Sequence, residues 1–363
     1  MIDQIYRELA RKLDSIPPGF PATESGVELQ LLARLFTREE AAIVAAMRLA
    51  YEAAGDIAAR AAIDSGAAYE ILNEAVRKGI VRTRKEKQER TFALNPQTSG
   101  LIGYQYEAVL RGADAKAAEL YVQWIGETRG GSLSDAPSAR RVVAVGEAIP
   151  FSLAIHPYEQ ASEILATANS WGVLDCMCRT RTRQAGQGCS YPLETCLVSD
   201  PDEGAYDDND LIRAISLEES LRILHEAEDA GLVHTTGNIG DHDFIICNCC
   251  PCCCTLLRGV VEFHRPTVVA HSDFFNTVDE TACDGCGDCV ERCHFGALSL
   301  PGSVCVVDYT RCMGCGLCTL ACPLDALSLV RRPEGETLPP TANLDEWMAK
   351  HAERRGISLT ELQ

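Results

Sequence analysis

The sequence predicts a multidomain α+β chain, on three observations: a helical N-terminal region closed by a short charged hairpin, a middle region crowded with cysteine, and a cysteine repeat near the C-terminus. At 363 residues the chain exceeds the usual size of one domain, and its 46% hydrophobic content supplies cores for two or three compact units. The expected divisions are 1–127, a helical and hairpin domain with a helical extension; 128–272, a mixed α/β cysteine-rich domain; 273–332, the repeat; and 333–363, a helical tail.

In the first domain, Thr37-Arg-Glu-Glu40 is a capping box that opens a helix running to about Ala53. A short helix is expected over Asp56–Ala62. After Asp64-Ser65-Gly66, the segment Ala67–Lys78 puts Ile71, Leu72, Ala75 and Val76 on one helical face, with Gly79 where a C-terminal cap belongs. Two alternating runs, Ile80–Arg84 and Arg90–Leu94, flank the charged turn Lys85–Gln88 and read as a hairpin. Three helices followed by a hairpin is the winged-helix order. Loop and helix continue to Ile125, and the Gly/Ser-rich stretch Gly126–Ser132, running on to Ser138, reads as a linker. Beyond it, Tyr158–Ser170 and Ser216–Ala230 read as helices, and the acidic run Asp200–Asp210 as a solvated loop.

The chain has 19 cysteines, yet Met1–Ala10 has no basic stretch followed by an apolar run. The expectation is therefore a reducing, cytoplasmic setting in which cysteines are ligands and not disulfides. No membrane span is expected, because the Ala-rich stretch Ala41–Ala62 is broken by Arg48, Glu52, Asp56 and Arg60. The net charge of −19 is uneven: residues 1–90 hold 14 Lys+Arg and 14 Asp+Glu, leaving 19 basic against 38 acidic residues in the remainder. Such a surface repels nucleic acid and favours a partner with an electropositive docking face.

The strongest motif is Cys283-x-x-Cys286-x-x-Cys289-x-x-x-Cys293, which recurs 29 residues later as Cys312-x-x-Cys315-x-x-Cys318-x-x-x-Cys322-Pro323. Three thiolates two residues apart wrap a corner of a cubane, and the fourth ligand comes from the distant cysteine of the other repeat. Two [4Fe–4S] clusters are thus expected, one on Cys283, Cys286, Cys289 and Cys322, the other on Cys312, Cys315, Cys318 and Cys293. Structural zinc would use pairs of Cys-x-x-Cys units and gives no reason for the third and fourth cysteines in this register. Residues 275–332 resemble bacterial-type two-cluster ferredoxins, which implies a ferredoxin-like βαββαβ module and one-electron transfer. His294 stands after Cys293 where that pattern has proline. Glycines 285, 287, 314 and 316 leave room for backbone N–H groups to approach cluster sulfurs. Cys305 reads as a packed strand residue.

Ten more cysteines lie between Cys176 and Cys254: Cys176, Cys178, Cys189 and Cys196, then Cys247, Cys249, Cys250, Cys252, Cys253 and Cys254. They exceed any packing need. Because consecutive cysteines point in different directions, one tetrahedral metal cannot use all six of the second group. Either they serve two centres, or some are redox-active or outer thiols. At least one additional iron–sulfur cluster is expected, with zinc the competing metal because thiolate sites accept both. Arg179, Arg181 and Arg183 offset an anionic cluster, bind an anionic substrate, or form a solvated basic edge.

The order of winged helix, Cys-x-Cys-Arg region, Cys-Asn-Cys-Cys run and two-cluster segment resembles a family of ferredoxin-like proteins of anaerobic bacteria to which no reaction is attached. No dinucleotide fingerprint, phosphate-binding loop, His-Glu-x-x-His or Gly-x-Ser-x-Gly motif is found, so a self-sufficient enzyme is not expected. His156, His225, His234, His242, His264 and His271 read as structural or surface residues, with His242 the one nearest the Cys247 run. The region Arg77–Arg90 has seven basic residues, as a wing on phosphates would. However, the helix that would enter a major groove carries Glu70 and Glu74 and no cation near its start, so DNA is not the expected partner. The sequence therefore reads as an electron-transfer subunit serving a flavoprotein or reductase, the alternative being a cluster-containing DNA-binding redox or iron sensor.

Overall fold

The computed structural model describes residues 3–86, 89–96, 114–130, 136–150, 159–240 and 245–359. The chain forms two compact units, Met1–Asp135 with Thr180–Gly188 and Asp345–Gln363, and Ala136–Arg179 with Cys189–Leu344.

In the first unit, the Asp3 carboxylate caps helix Gln4–Ser15, and helix Val27–Leu35 follows. Thr37 opens helix Arg38–Ala46 with the expected reciprocal capping box. That helix is shorter than its alanine-rich sequence predicts. After Met47 the chain turns extended, Glu52–Ala53 form strand β1, and the Leu94 N–H donates to the Arg48 carbonyl, so pairing overrides local propensity. Helices Ala54–Ala61 and Ser65–Arg77 come next, the second capped by Asp64 and ended by Gly79 at a φ of 69°. Strands β2 (Val81–Glu86) and β3 (Glu89–Leu94) form the hairpin, giving the sheet order β1-β3-β2. Helix Ala115–Glu127 docks through Trp124, whose indole donates to the Pro21 carbonyl at 3.0 Å and stacks on Phe20 at 4.8 Å. The C-terminal helix Leu344–Arg355 packs back on this unit: Trp347 and Met348 are buried, and Arg355 donates to the carbonyls of Asp14 and Ile16.

A seven-stranded sheet organises the second unit. Its strands are β4 (Arg140–Val142), β5 (Ser170–Asp175), β6 (Glu194–Asp200), β7 (Arg213–Ile215), β8 (Val233–Gly237), β9 (Ile245–Cys249) and β10 (Val269–Ala270), in the order β10-β4-β8-β9-β6-β5-β7. Only β10–β4 is parallel within it. Helices Ala161–Ala166 and Leu217–Asp229 cover one side, Ile223 and Leu224 packing with Leu165, Val173, Leu197 and Ile246. The first of these is shorter than expected because Ser170 already belongs to β5.

The repeat segment runs strand, helix, strand, strand, helix, strand: β11 (Phe274–Val278), Asp288–Arg292, β12 (Leu298–Ser299), β13 (Val306–Val307), Leu317–Leu320 and β14 (Leu327–Arg331). β11 pairs with β14 and β12 with β13, both antiparallel. This segment is built into the same core as the sheet, where Val142, Val145, Val233 and Leu257 meet Phe274, Phe295, Met313, Leu317 and Leu329. A buried ion pair at 3.0 Å joins Arg141 of β4 to Asp273 at the entry to β11. Removing one partner of such a pair costs about 3–5 kcal/mol, since the other is left charged in the core. Among the described residues no helix is long and apolar enough to cross a membrane.

Candidate metal centres

The 29-residue repeat is also a repeat of conformation. Asp279 and Asp308 each accept from the N–H and hydroxyl of the threonine two residues on, bonds that hold both carboxyls below their ordinary range. Each also presents its backbone carbonyl to the first cysteine of its repeat, Cys283 or Cys312. Gly285 and Gly314 occupy equivalent left-handed positions, with φ of 76° and 67°. A Cβ at Gly285 would lie 2.5 Å from the Ser303 carbonyl oxygen, and one at Gly314 would lie 2.1 Å from that of Phe274. Only glycine lets the loop lie so close to its neighbour.

The fold brings Cys283, Cys286, Cys289 and Cys322 around one cavity, which Gly285, Leu327 and Cys305 also line. Cys322 thus crosses over to the first repeat. Cys293 crosses the other way and lies among Cys312, Cys315 and Cys318. Backbone N–H groups point at these sulfurs in matched pairs: Ala297 to Cys293 and Ala326 to Cys322, both at 3.3 Å. Asn276 adds a side-chain donor, its amide 2.9 Å from Cys318 Sγ. Burial, then the charges of Cys293 and Cys312, pushes the Cys315 thiol up to about 12, and burial raises Cys318 as well. Thiols so reluctant to ionise become ligands when a metal's charge replaces their protons. Eight soft donors, glycine-cradled loops and N–H···S bonds fit a pair of iron–sulfur cubanes.

Two side chains near these sets carry more than the sequence disclosed. Cys305 is buried as expected, but its Sγ is 3.5 Å from Cys289 Sγ and its N–H donates to Cys283 Sγ. His294, the departure from the proline pattern, bonds through its ring to the Gly231 carbonyl at 2.6 Å, beside Arg292, which donates to the carbonyls of Glu228 and Asp229. A proline could make neither the bond nor the attachment to the sheet's helix.

The ten middle cysteines separate into two groups. Cys189, Cys250, Cys252 and Cys253 converge, with all four sulfurs within 4.8 Å of one another. Cys250 to Cys253 lie in the turn after β9, which folds successive side chains round to a common side, as a strand would not. The Cys250 thiol is pulled down to about 5, first by a hydrogen bond from Cys253 and further by the Arg179 guanidinium. The remaining six form a chain of S–H···S contacts: Cys196 with Cys247, Cys247 with Cys249, Cys249 with Cys254, and Cys254 with Cys178, while Cys176 feels Cys247 and Cys254. Hydrogen bonds from their neighbours, Cys196 first for Cys247 and Cys178 first for Cys254, hold those two thiols well below the ordinary value. β-sheet geometry assembles this group, since Cys247 and Cys249 share a face of β9, Cys196 lies on neighbouring β6, and Cys176 follows β5.

Arg179 is fully buried and donates to the Asn248 carbonyl at 2.8 Å, to the Thr195 hydroxyl, and to Cys250 Sγ at 3.9 Å. Arg181 is buried too, over the Tyr121 ring at 4.2 Å, whereas Arg183 is exposed. These three do not form one solvated edge: on helix Met177–Gln184 Arg179 and Arg181 are buried, and only Arg183, in the last turn, is exposed. Asn248, between Cys247 and Cys249, accepts through Oδ1 from the buried His234 ring nitrogen Nδ1 at 2.5 Å, and His234 Nε2 meets Glu228 at 3.0 Å. Both ring nitrogens of His234 are thus engaged by neighbouring side chains. His156 and His242 lie outside the described residues.

Residues 282–326 match the family model of the 4Fe-4S dicluster domain. The chain carries a C-terminal ferredoxin-type domain. All eight repeat cysteines and Cys305 fall within the matched ferredoxin-type segment, which makes this an iron–sulfur protein. No curated protein and no solved structure matches the chain.

Proposed function

We propose that the chain is an electron-transfer subunit of a larger anaerobic redox system, holding two [4Fe–4S] clusters on Cys283, Cys286, Cys289 and Cys322 and on Cys312, Cys315, Cys318 and Cys293, with a further cluster in the cysteine-rich middle domain. The observation that carries this reading is the crossover of Cys322 into the cavity of the first repeat. When bound, each cluster supplies a one-electron carrier. The chain's own residues fix the sulfurs, exclude water and set the local field through N–H···S bonds.

Cys293 and Cys315 of the second set pack against the same core that contains Cys249 and Cys254, which supports a relay between the ferredoxin-type domain and the six-thiol group. The first set, which packs with Cys293 and Cys318 in a neighbouring hydrophobic cluster, reaches the surface. Its rim carries exposed Asp284, Asp288 and Asp325 beside Leu300 and Leu324, 37% and 47% exposed. Such a face suits a flavoprotein or reductase with an electropositive docking patch.

The N-terminal unit, read as a winged helix, serves docking and not DNA binding. Several cations of its wing are engaged within the chain: Lys78 with Glu40, Arg90 with Asn73 and Thr83, and Arg84 over the Tyr51 ring at 4.0 Å.

Anaerobic isolation tests the whole reading. It expects about eight iron and eight sulfide from the ferredoxin-type domain, more iron from the middle domain, and two interacting reduced cluster signals by electron paramagnetic resonance. Four iron or fewer per chain overturns it. Tight, salt-sensitive binding to genomic DNA would instead favour the sensor.

A further inference from the structure

We propose that Cys189, Cys250, Cys252 and Cys253 form a closed structural zinc site, separate from any cluster in the middle domain. The sulfur spacing decides between the metals. A tetrahedral zinc bound at about 2.3 Å requires sulfur–sulfur edges of about 3.8 Å. The edges here are 4.0 Å for Cys189–Cys250, 3.6 Å for Cys189–Cys253 and 3.9 Å for Cys252–Cys253. A cubane places its own irons and sulfides between the ligands and spreads the thiolates further. Among the described residues no other three His, Cys, Asp or Glu ligand atoms gather so closely, the eight cysteines of the ferredoxin-type domain included.

Charge is a second, independent observation. Four thiolates on a divalent ion leave a net charge of about −2 to be offset. Arg179 stands 3.9 Å from Cys250 Sγ, fully buried, with its Nε unpartnered and no carboxylate among its described partners. A guanidinium buried without an anion is strongly unfavourable. It faces Cys176 and Cys249 of the six-thiol group and, by direct approach to a sulfur, Cys250 of this site, so the zinc-bound thiolates supply part of its counter-charge. Arg258 also lies near Cys252 and Cys253, but it is paired with Glu262 at 2.6 Å and leaves Arg179 as the site's main counter-charge.

Position fits a structural role. The four ligands tie the loop that starts at Cys189 to the turn between β9 and helix Thr255–Val261. That turn also fixes Cys249 and Cys254, on either side of it, which belong to the six-thiol group. The zinc site is therefore a clamp that holds the second centre's ligands in place.

The test is metal analysis of the anaerobically isolated full chain, with the variant Cys252→Ser/Cys253→Ser alongside. One zinc per chain is expected in the parent, falling at least about tenfold in the double variant, with iron per chain and the ferredoxin-type signals unchanged. Replacing the ion with cobalt should give the visible bands of a tetrahedral all-thiolate site. Loss of about four iron in the variant would make these cysteines cluster ligands and overturn the proposal, as would a parent with no zinc or with a single iron in its place. If the variant does not fold, zinc-edge X-ray absorption of the parent decides: four sulfurs at about 2.3 Å support the site, and any nitrogen or oxygen ligand overturns it. Absence of the ferredoxin-type signals with zinc retained would sink the electron-transfer reading alone.

Discussion

Asn276→Leu isolates one hydrogen bond to Cys318, a ligand of the second cluster proposed above. The Asn276 amide donates to Cys318 Sγ at 2.9 Å, inside a buried site on β11. Its carbonyl Oδ1 is buried without a partner, so leucine removes the donor and also relieves an orphaned acceptor. The backbone N–H of residue 276, which points at Cys312 Sγ, survives the change. A hydrogen bond to a charged acceptor contributes about 1.5–3 kcal/mol, and the reduced cluster, with one more negative charge, gains more from it than the oxidised one. If roughly half of that depends on the redox state, the difference is about 1 kcal/mol, or roughly 40 mV for a one-electron couple. The potential of the cluster on Cys293, Cys312, Cys315 and Cys318 should fall by that amount and the other should hold. A redox titration followed by electron paramagnetic resonance resolves the two. An unmoved or raised potential, or an equal shift in both clusters, refutes the reasoning.

Three further outcomes are expected. Cys293→Ala should remove the cluster of the downstream repeat, read as four iron lost per chain with the upstream signal intact; loss of the upstream cluster alone would overturn the crossed ligand sets. Gly314→Ala drives a Cβ to 2.1 Å from the Phe274 oxygen and should cost the second cluster, whereas Gly287→Ala meets nothing within 4 Å and should cost only about 1–2 kcal/mol, for its left-handed backbone; equal iron contents in the two variants would refute this. Burial holds the His271 imidazole below its ordinary 6.5, so the folded state resists protonation there. Its contribution is complete above pH 6.5 and is lost as pH falls through the folded value. Denaturation midpoints should drop between about pH 7.5 and 5.5, less steeply in His271→Gln, and an identical slope in both proteins would rule the group out.

Local signals were legible in the sequence wherever one residue type had one job. Thr37 and Glu40 announced a capping box, Gly79 a helix end, and the cysteine register announced the dicluster segment. Pairing was not legible. Glu52–Ala53 leave a helical pattern because β3 is there to bond them, and the seven-stranded sheet is made of strands as short as two residues whose partners lie far along the chain. The division of the ten middle cysteines has the same origin. Cys250, Cys252 and Cys253 converge because they sit in a turn, while Cys247 and Cys249 share a strand face, and both facts depend on where β9 ends. Arg179 looked like part of a basic run, but tertiary packing buries it and Arg181 and leaves only Arg183 in solvent.

The way the ferredoxin-type domain shares a core with the sheet also fixes the order in which oxygen meets the sulfurs. Cys286 is exposed, so attack begins at the outer set, while the inner set backs onto Phe274, Met313 and Leu317. Damage therefore proceeds from the rim inward. Loss of the outer cluster proposed above would leave in place the packing that shelters the inner ligands, while its own set keeps one buried cysteine, Cys289, behind exposed Cys286.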